Sequence, residues 1–397
     1  MKKILILGAG VYQVPLIKHA VERGYHVTVA SWRATDPGMA HAHDTWVVDT
    51  KDKIRLCDLS RKYGIEAVLT TGTDVAIPSI GHICDTLKLP GISYKTAMAA
   101  TDKWTMQQQF KAHGVPSSKS IRVVNLNQAL EAVIQTGFPA MVKAPDSSGS
   151  RGIHRVDTPK DLTDALEDAM QISKAGYALV ENYISGVEFG AQAVVLDGRV
   201  AKLICHNDTV TPPPVSVPIG HSCPLMMSRE VQAETKRVCD LGVAAIGMKN
   251  GICNIDLMAE GDEVYMLEIG ARTGATGIPE IILHSMGINL YDVAIDIAMG
   301  KRPRLTESNP RGAAVEIILS KEDGILSAIG SIDHLLALEN VRAISFDCQP
   351  GDVVNRFVTG PDRLGEILCC GTTSADAEAL CRHVGAHISL GLREHNS

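Results

Sequence analysis

Residues 252–258 (ICNIDLM) and 264–269 (VYMLEI) are two apolar, β-prone runs joined by a polar Glu-Gly-Asp-Glu turn, which constrains this stretch to an antiparallel hairpin. Pairing about that turn brings Asp256 and Glu268 near each other across the ladder, where like charges repel. A hard divalent cation between them removes the conflict, and Mg²⁺ is held by one or two carboxylates together with the phosphates of a nucleotide. Arg272, four residues beyond Glu268 in a Gly-rich exit, adds a guanidinium able to clamp phosphate oxygens. The segment reads as a nucleoside-triphosphate site; the alternative is an exposed hairpin whose acids are solvated.

Upstream, strand and helix patterns alternate from the start. KILIL leads to a helix ending near His19–Arg23, followed by HVTVAS, a helix near 53–63 and AVLTT. This order predicts an α/β fold with an open, mostly parallel sheet. Gly8-Ala9-Gly10 closes the first strand, but Gln13 stands where a dinucleotide fingerprint has its third glycine. The second strand also ends at Ala30-Ser31-Trp32 without the acid that holds a ribose, so the glycines read as a tight turn and not as an NAD site. The apolar start after Met1-Lys2-Lys3 resembles a secretory signal. Gly8, Gly10, Tyr12 and Gln13 interrupt it, and it reads instead as a buried first strand.

A helical pattern begins at TDKWTMQQQFKAHG, with Thr101 or Asp102 as N-cap and a stop at Gly114 and Pro116. Lys103 falls in its first turn, where a positive charge opposes the helix dipole and is better explained by a nearby anion; a solvated surface lysine is the alternative. In PAMVKAPDSSGSRGI an apolar strand delivers Lys143 to a Ser/Gly loop, including Ser148 and Gly149, whose backbone N–H groups can cradle phosphates. No Gly-Lys-Ser/Thr closes the loop, so it is not a P-loop, and an ordinary hairpin loop is the plain alternative. In ALVENYISGVEFG a buried strand carrying Glu181 passes through a linker with Asn182 and Ile184 to a second strand carrying Glu188. Backbone groups of such a linker can read adenine, and a carboxylate suits ribose hydroxyls; either acid can equally be a surface charge.

Composition limits the function classes. A chain of 397 residues is long enough for two or three domains, and 45% hydrophobic with 21% charged residues is an ordinary globular balance. A net charge of −7 without a basic stripe, and only 4% aromatic residues, disfavour nucleic acid as a partner. The ten cysteines form no C-x-x-C pair, which speaks against a zinc site or disulfide framework and leads to the expectation of a cytoplasmic location. No apolar run is long enough to span a bilayer.

Taken together, Lys103, Lys143 with its Ser/Gly loop, Glu181-Asn182-Tyr183-Ile184, Glu188 and the Asp256/Glu268/Arg272 hairpin resemble the ATP-grasp superfamily over nearly the whole chain. Within it the chain looks most like the carboxylate–amine ligases, particularly the dipeptide-forming amino-acid ligases, with kinship to biotin carboxylase and carbamoyl-phosphate synthase. The resemblance extends to Thr211-Pro212-Pro213-Pro214 and Gly220-His221-Ser222-Cys223-Pro224, similar to a substrate-side loop, and to Gly312–Leu319 at the start of a C-terminal subdomain.

The resemblance implies an ATP-grasp fold in three parts: a Rossmann-like domain over 1–100, an ATP-grasp domain over 101–310 with a mobile lid at about 115–183, and a C-terminal α+β subdomain over 311–397. It implies ATP and Mg²⁺ (or Mn²⁺) as cofactors. Lys103, Lys143, Ser148 and Gly149 would lie on phosphates, Glu181, Asn182 and Ile184 at the adenine, Glu188 at the ribose, and Met258 against the base. Asp256 and Glu268 would hold the metal, while Arg272 and Lys143 would act in catalysis. Partners would be a small carboxylate and an amine, in a homodimer. Many members read Glu-x-Asn-x-Arg, whereas this chain reads Glu268-Ile269-Gly270-Ala271-Arg272, which leaves the number of metal ions open; Asp256 also replaces a commoner glutamate.

The implied reaction phosphorylates a carboxylate with ATP to an acyl phosphate that an amine then attacks, giving an amide or peptide bond, ADP and phosphate. The alternatives are a bicarbonate-phosphorylating enzyme of the biotin-carboxylase or carbamoyl-phosphate-synthase kind, and a non-catalytic nucleotide-binding protein. The acid and the amine are not named by the sequence, nor is it fixed which of His221, Glu280 or Arg311 reaches them.

Overall fold

The computed structural model describes residues 1–147, 151–211, 217–308 and 310–393. By contacts they form two compact units, one of Met1–Leu203, Met227–Gly274 and Tyr291–Arg304, the other of Ile204–Met226, Ala275–Leu290 and Leu305–Ser397.

The first unit opens on a four-stranded parallel sheet in the spatial order Asp44–Val47, His26–Ser31, Lys3–Leu7, Ala67–Leu69. The central strand KILIL is buried along nearly its whole length, as a parallel strand covered on both faces must be. Its turn explains the glutamine that replaces a third glycine. The Gln13 amide accepts from Gly10 N–H at 2.9 Å and donates to the Thr71 carbonyl at 2.6 Å, so the side chain fills the space under the turn. The helix Val14–Glu22 follows, and Ile4, Ile6, Leu16, Ile17, Val27 and Ile295 pack into one core.

Asp102, one of the two N-cap candidates, caps the helix Lys103–His113 by accepting from Thr105 N–H at 2.7 Å, and Gly114 ends it in the left-handed conformation. A four-stranded antiparallel sheet follows, in the order Ser120–Val123, Ala178–Asn182, Ala140–Lys143, Ile153–Val156. The helices Leu126–Thr136 and Pro159–Ile172 cover it, and Val142, Val156, Leu162, Leu166 and Val180 give it a core of its own. The unit also holds three antiparallel strands, Val187–Leu196, Gly251–Glu260 and Glu263–Gly270, which carry most of the candidate site.

The strand Arg199–Val210 continues into the second unit, where Asn207–Val210 pairs with Pro218–Cys223. Beyond it lie Gly312–Ile318, Gly365–Gly371 and Val341–Phe346, all antiparallel. The helix Ser374–His387 packs on them, placing Leu326, Leu335, Ile367, Cys381 and Val384 in the core.

Candidate active site

Asp256 stands opposite Glu268 in the ladder, as the hairpin reading expects, and Met258 stands opposite Glu188. Side chains two apart on a strand share a face, so Asp256, Met258, Glu188 and Glu268 project from the same side. A bulge decides this. At the turn the register pairs Glu260 with Glu263, which continued without interruption would set Glu268 opposite Ile255 and on the far face. The shift between Asp256 and Leu257 brings Glu268 back opposite Asp256.

Three cations converge on this face. Lys103 Nζ lies 2.5 Å from Glu268 Oε2, Lys143 Nζ lies 2.8 Å from Glu181 Oε2, and Arg272 Nη2 lies 2.7 Å from Asp74 Oδ2. Burial pushes the Glu268 carboxyl up, but Lys103 foremost, then Lys143 and Arg272, outweigh it and hold it below the usual carboxylate range. The same happens at Glu181, where Lys143 and the Ser118 hydroxyl overcome burial. Burial works against the charge of Lys103 and Arg272, yet Glu268 raises the one and Asp74 the other. Their partners thus favour the charged forms of Glu268, Glu181, Lys103 and Arg272, and the lysine in the first turn of its helix has the anion that its position called for.

Glu181 is buried, its carboxylate also accepting from Ser118 Oγ at 2.8 Å, while Asn182 Oδ1 accepts from Lys119 N–H at 2.6 Å. Ile184 is buried, Met258 is half-buried and Glu188 is exposed. Ser148 and Gly149 lie outside the described residues, as do Pro212, Pro213 and Pro214. The Ser148–Gly149 loop is bounded by Ala144 and Gly152, whose backbones bond at 2.8 Å.

Several residues of this neighbourhood were not singled out by sequence. Asp74 follows the strand Ala67–Leu69, and an acid just past the carboxyl end of a parallel strand was the available signal. Gln192, fully buried, donates to Asn254 Oδ1 at 2.6 Å and accepts from Gly274 N–H at 2.9 Å; Asn254 in turn donates to Asp256 Oδ1 at 3.1 Å. This chain orients the Asp256 carboxylate, and no local pattern announces it.

The second unit holds a separate polar cluster. His206 and His221 both place Nδ1 on Asp208 Oδ1, at 2.8 and 2.5 Å, and hold that carboxyl far below its ordinary value against the opposing effect of burial. Of the other substrate-side candidates, Arg311 donates from Nε to the His284 carbonyl at 3.0 Å and Glu280 lies in the first turn of the helix Ile278–Met286.

Residues 136–280 match the model of the ATP-grasp domain, and residues 316–393 match the L-amino acid ligase C-terminal domain 2. The chain thus carries an ATP-grasp domain and resembles the carboxylate–amine ligases of that superfamily. It is similar to an L-arginine-specific L-amino acid ligase of Bacillus subtilis, 22% identical over 82% of this chain and 80% of that one. Phosphoribosylglycinamide synthetase from Anaerococcus prevotii is 26% identical with a TM-score of 0.83, over 99% of this chain and all of that one. An L-amino acid ligase from Bacillus licheniformis superposes with a TM-score of 0.85 at 19% identity, over 99% of both chains. The ATP-grasp fold, the α/β class and an ADP-forming, C–N-bond-forming ligase are what the sequence led one to expect. The ATP-grasp family uses ATP with Mg²⁺, and its ligases act on small molecules. Among the described residues no single helix is long and apolar enough to cross a membrane.

Proposed function

We propose that this ATP-grasp ligase joins a carboxylate to an amine, in the manner of an amino-acid ligase, through an acyl phosphate made at the Asp256/Glu268 face. The observation that carries the reading is the convergence of Lys103, Lys143 and Arg272 on two carboxylates in ladder register. Lys103, Lys143 and Arg272 face Asp74, Glu181, Asp256 and Glu268, one negative charge in excess, and a bound dication reverses that sign in favour of a polyphosphate. All four acids offer hard oxygen donors, which fits Mg²⁺, with Mn²⁺ as a substitute of the same preference.

When bound, Mg²⁺ would supply the positive charge that offsets negative charge developing during transfer. Asp256 and Glu268 would hold the ion, and the Gln192–Asn254 chain keeps Asp256 in place. Lys103 and Lys143 exchange their carboxylate partners for phosphate oxygens, and Arg272 steadies the transferring phosphoryl group. The backbone at Asn182–Ile184 takes the adenine edge, Glu188 the ribose, Met258 the base, and the Ser148–Gly149 loop the phosphates. The antiparallel sheet bearing Lys143, with its own core, is the lid of the ATP-grasp domain (101–310), which in sequence follows a Rossmann-like domain (1–100) and precedes a C-terminal subdomain (311–397). The setting is a cytoplasmic homodimer, which light scattering checks.

Label transfer tests the chemistry. With ¹⁸O in the substrate carboxylate, label appears in released phosphate and the nucleotide product is ADP. Label in AMP, or unlabelled phosphate formed alongside an amide, overturns the proposal; turnover requiring bicarbonate would favour the carboxylase-like alternative. A screen of amino-acid pairs for phosphate release, read out by mass spectrometry, identifies the acid and the amine.

A further inference from the structure

Gly270 lies in a strand and does not occupy the left-handed region, so backbone conformation does not require a glycine there. Space does. A Cβ at 270 would lie 3.0 Å from Asp74 Oδ1 and 3.6 Å from Arg272 Cζ, against a carboxylate and guanidinium already locked together. Arg272 Nε donates to Asp74 Oδ1 at 3.0 Å and Nη2 to Oδ2 at 2.7 Å, a two-pronged fork. A third donor, Nη1, reaches the Thr273 carbonyl at 3.2 Å. Of the five N–H groups of a guanidinium this leaves two for another ligand, in a plane fixed by the fork.

The loop bearing Asp74 is itself fastened to the segment after Arg272. Gly72 N–H donates to the Thr273 carbonyl at 3.2 Å, the Thr71 and Thr273 hydroxyls are bonded to each other, and the Thr71 carbonyl accepts from Gln13 at 2.6 Å. Both partners of the fork are largely buried, with 16% of the Arg272 and 23% of the Asp74 side chain exposed, so the pair is neither a wandering surface contact nor sealed from a ligand.

We propose that Asp74 is the positioning residue of Arg272, and that position 270 is a glycine because the Asp74–Arg272 fork fills the space that a side chain there would take. This rests on the role of Arg272 in phosphoryl transfer given above. Gly270 is then not a lost ligand but the room for a carboxylate brought in from the end of the parallel sheet. Geometry held by a fork matters because a displacement of about 1 Å in a transfer site costs on the order of a hundredfold in rate.

The test uses Asp74→Asn, Asp74→Glu, Gly270→Ala and the double variant Asp74→Asn/Gly270→Ala in the full chain, each checked for a thermal transition. Asp74→Asn is expected to lower kcat for phosphate release by about 30- to 100-fold while KM for ATP stays within about twofold, with partial recovery in Asp74→Glu. Gly270→Ala is expected to lower kcat by about tenfold in the wild-type background and by less than about twofold when Asp74 is already Asn, because both changes break one fork. Unchanged kcat in Asp74→Asn, or losses that simply add, overturns the proposal.

An activity-independent readout separates this from failure of the ligase reading. The Arg272 Nε–H resonance, assigned with Arg272→Lys, is expected to be protected from solvent exchange in the wild type and to lose protection in Asp74→Asn and Gly270→Ala. If no carboxylate supports phosphate release but protection is lost in both variants, the fork stands and the reaction assignment fails. If protection is the same in all three proteins, the fork does not hold Arg272 and the proposal fails.

Discussion

The charge cluster around Glu268 and the His206–Asp208–His221 cluster are both buried ionic networks, yet they are built on opposite plans. Around Glu268 each cation meets its carboxylate from a different element: Lys103 from a helix start, Lys143 from a strand end, Arg272 from the exit of the hairpin. The two lysines are long side chains whose partners can be traded for phosphate oxygens without moving backbone, while Arg272 keeps its fork to Asp74. In the other cluster His206 and Asp208 are two apart on one strand, and His221 lies directly opposite Asp208 in the ladder, so the three groups are fixed by β-register itself. An arrangement made for exchange differs from one made for permanence in what holds the partners together. Mutation should therefore cost activity in the first and stability in the second.

The largest effect expected from that contrast is at Glu268. Glu268→Gln removes the charge from the metal side of the cluster and should lower Mg²⁺-dependent phosphate release by about a thousandfold, with a melting temperature close to that of the wild type. Near-normal turnover at ordinary Mg²⁺ would erase the functional half of the comparison.

Asp208→Asn should do the reverse, costing about 3 kcal/mol of stability in denaturant unfolding, since a carboxylate serving two imidazoles is replaced by a neutral group. The pH dependence sharpens the point. A carboxyl held below its ordinary value of 3.8 contributes stability that is fully present above that pH and declines as pH falls through its depressed value. The gap between wild type and Asp208→Asn is thus expected to close as pH falls below about 4. A gap that shrinks between pH 7 and 5 would mean that the stabilising charge is not that of Asp208.

Asn254 is the intermediate case, because it is neither a ligand-facing cation nor part of a locked triad. Asn254→Ala cuts the Gln192–Asn254–Asp256 chain and should raise the Mg²⁺ concentration for half-maximal activity by about tenfold, with kcat at saturating Mg²⁺ within about threefold of wild type. A loss of kcat that saturating Mg²⁺ does not restore would place Asn254 in the chemistry and not behind it.

What could be read from the sequence was what local periodicity and charge conflict encode. Alternating strands and helices gave the parallel sheet over the first seventy residues, and the Asp102 cap and Gly114 stop bounded the helix at Lys103. The hairpin with its two acids was legible because like charges across a ladder demand an explanation. Asp74 and Gln192 were not legible, because each acts on a residue far along the chain, 198 positions away for Asp74 and 82 for Gln192. Of the His206–Asp208–His221 cluster only His221 was singled out, since polar residues on a strand look like an exposed face until burial is known.

The sequence by itself determined which elements form and which residues carry opposite charge, since these depend on spacing along a strand or helix and on side-chain chemistry. Only the tertiary structure decided the faces and the partners. The bulge beyond Asp256 turns Glu268 to the side of Asp256, a one-residue slip that no propensity specifies and that inverts every side chain beyond it. The loop after the fourth parallel strand brings Asp74 into the space above Gly270, so that a position which reads as a missing ligand becomes the room for an arginine's fork. Both outcomes depend on where separate segments pack, and packing is a property of the whole fold.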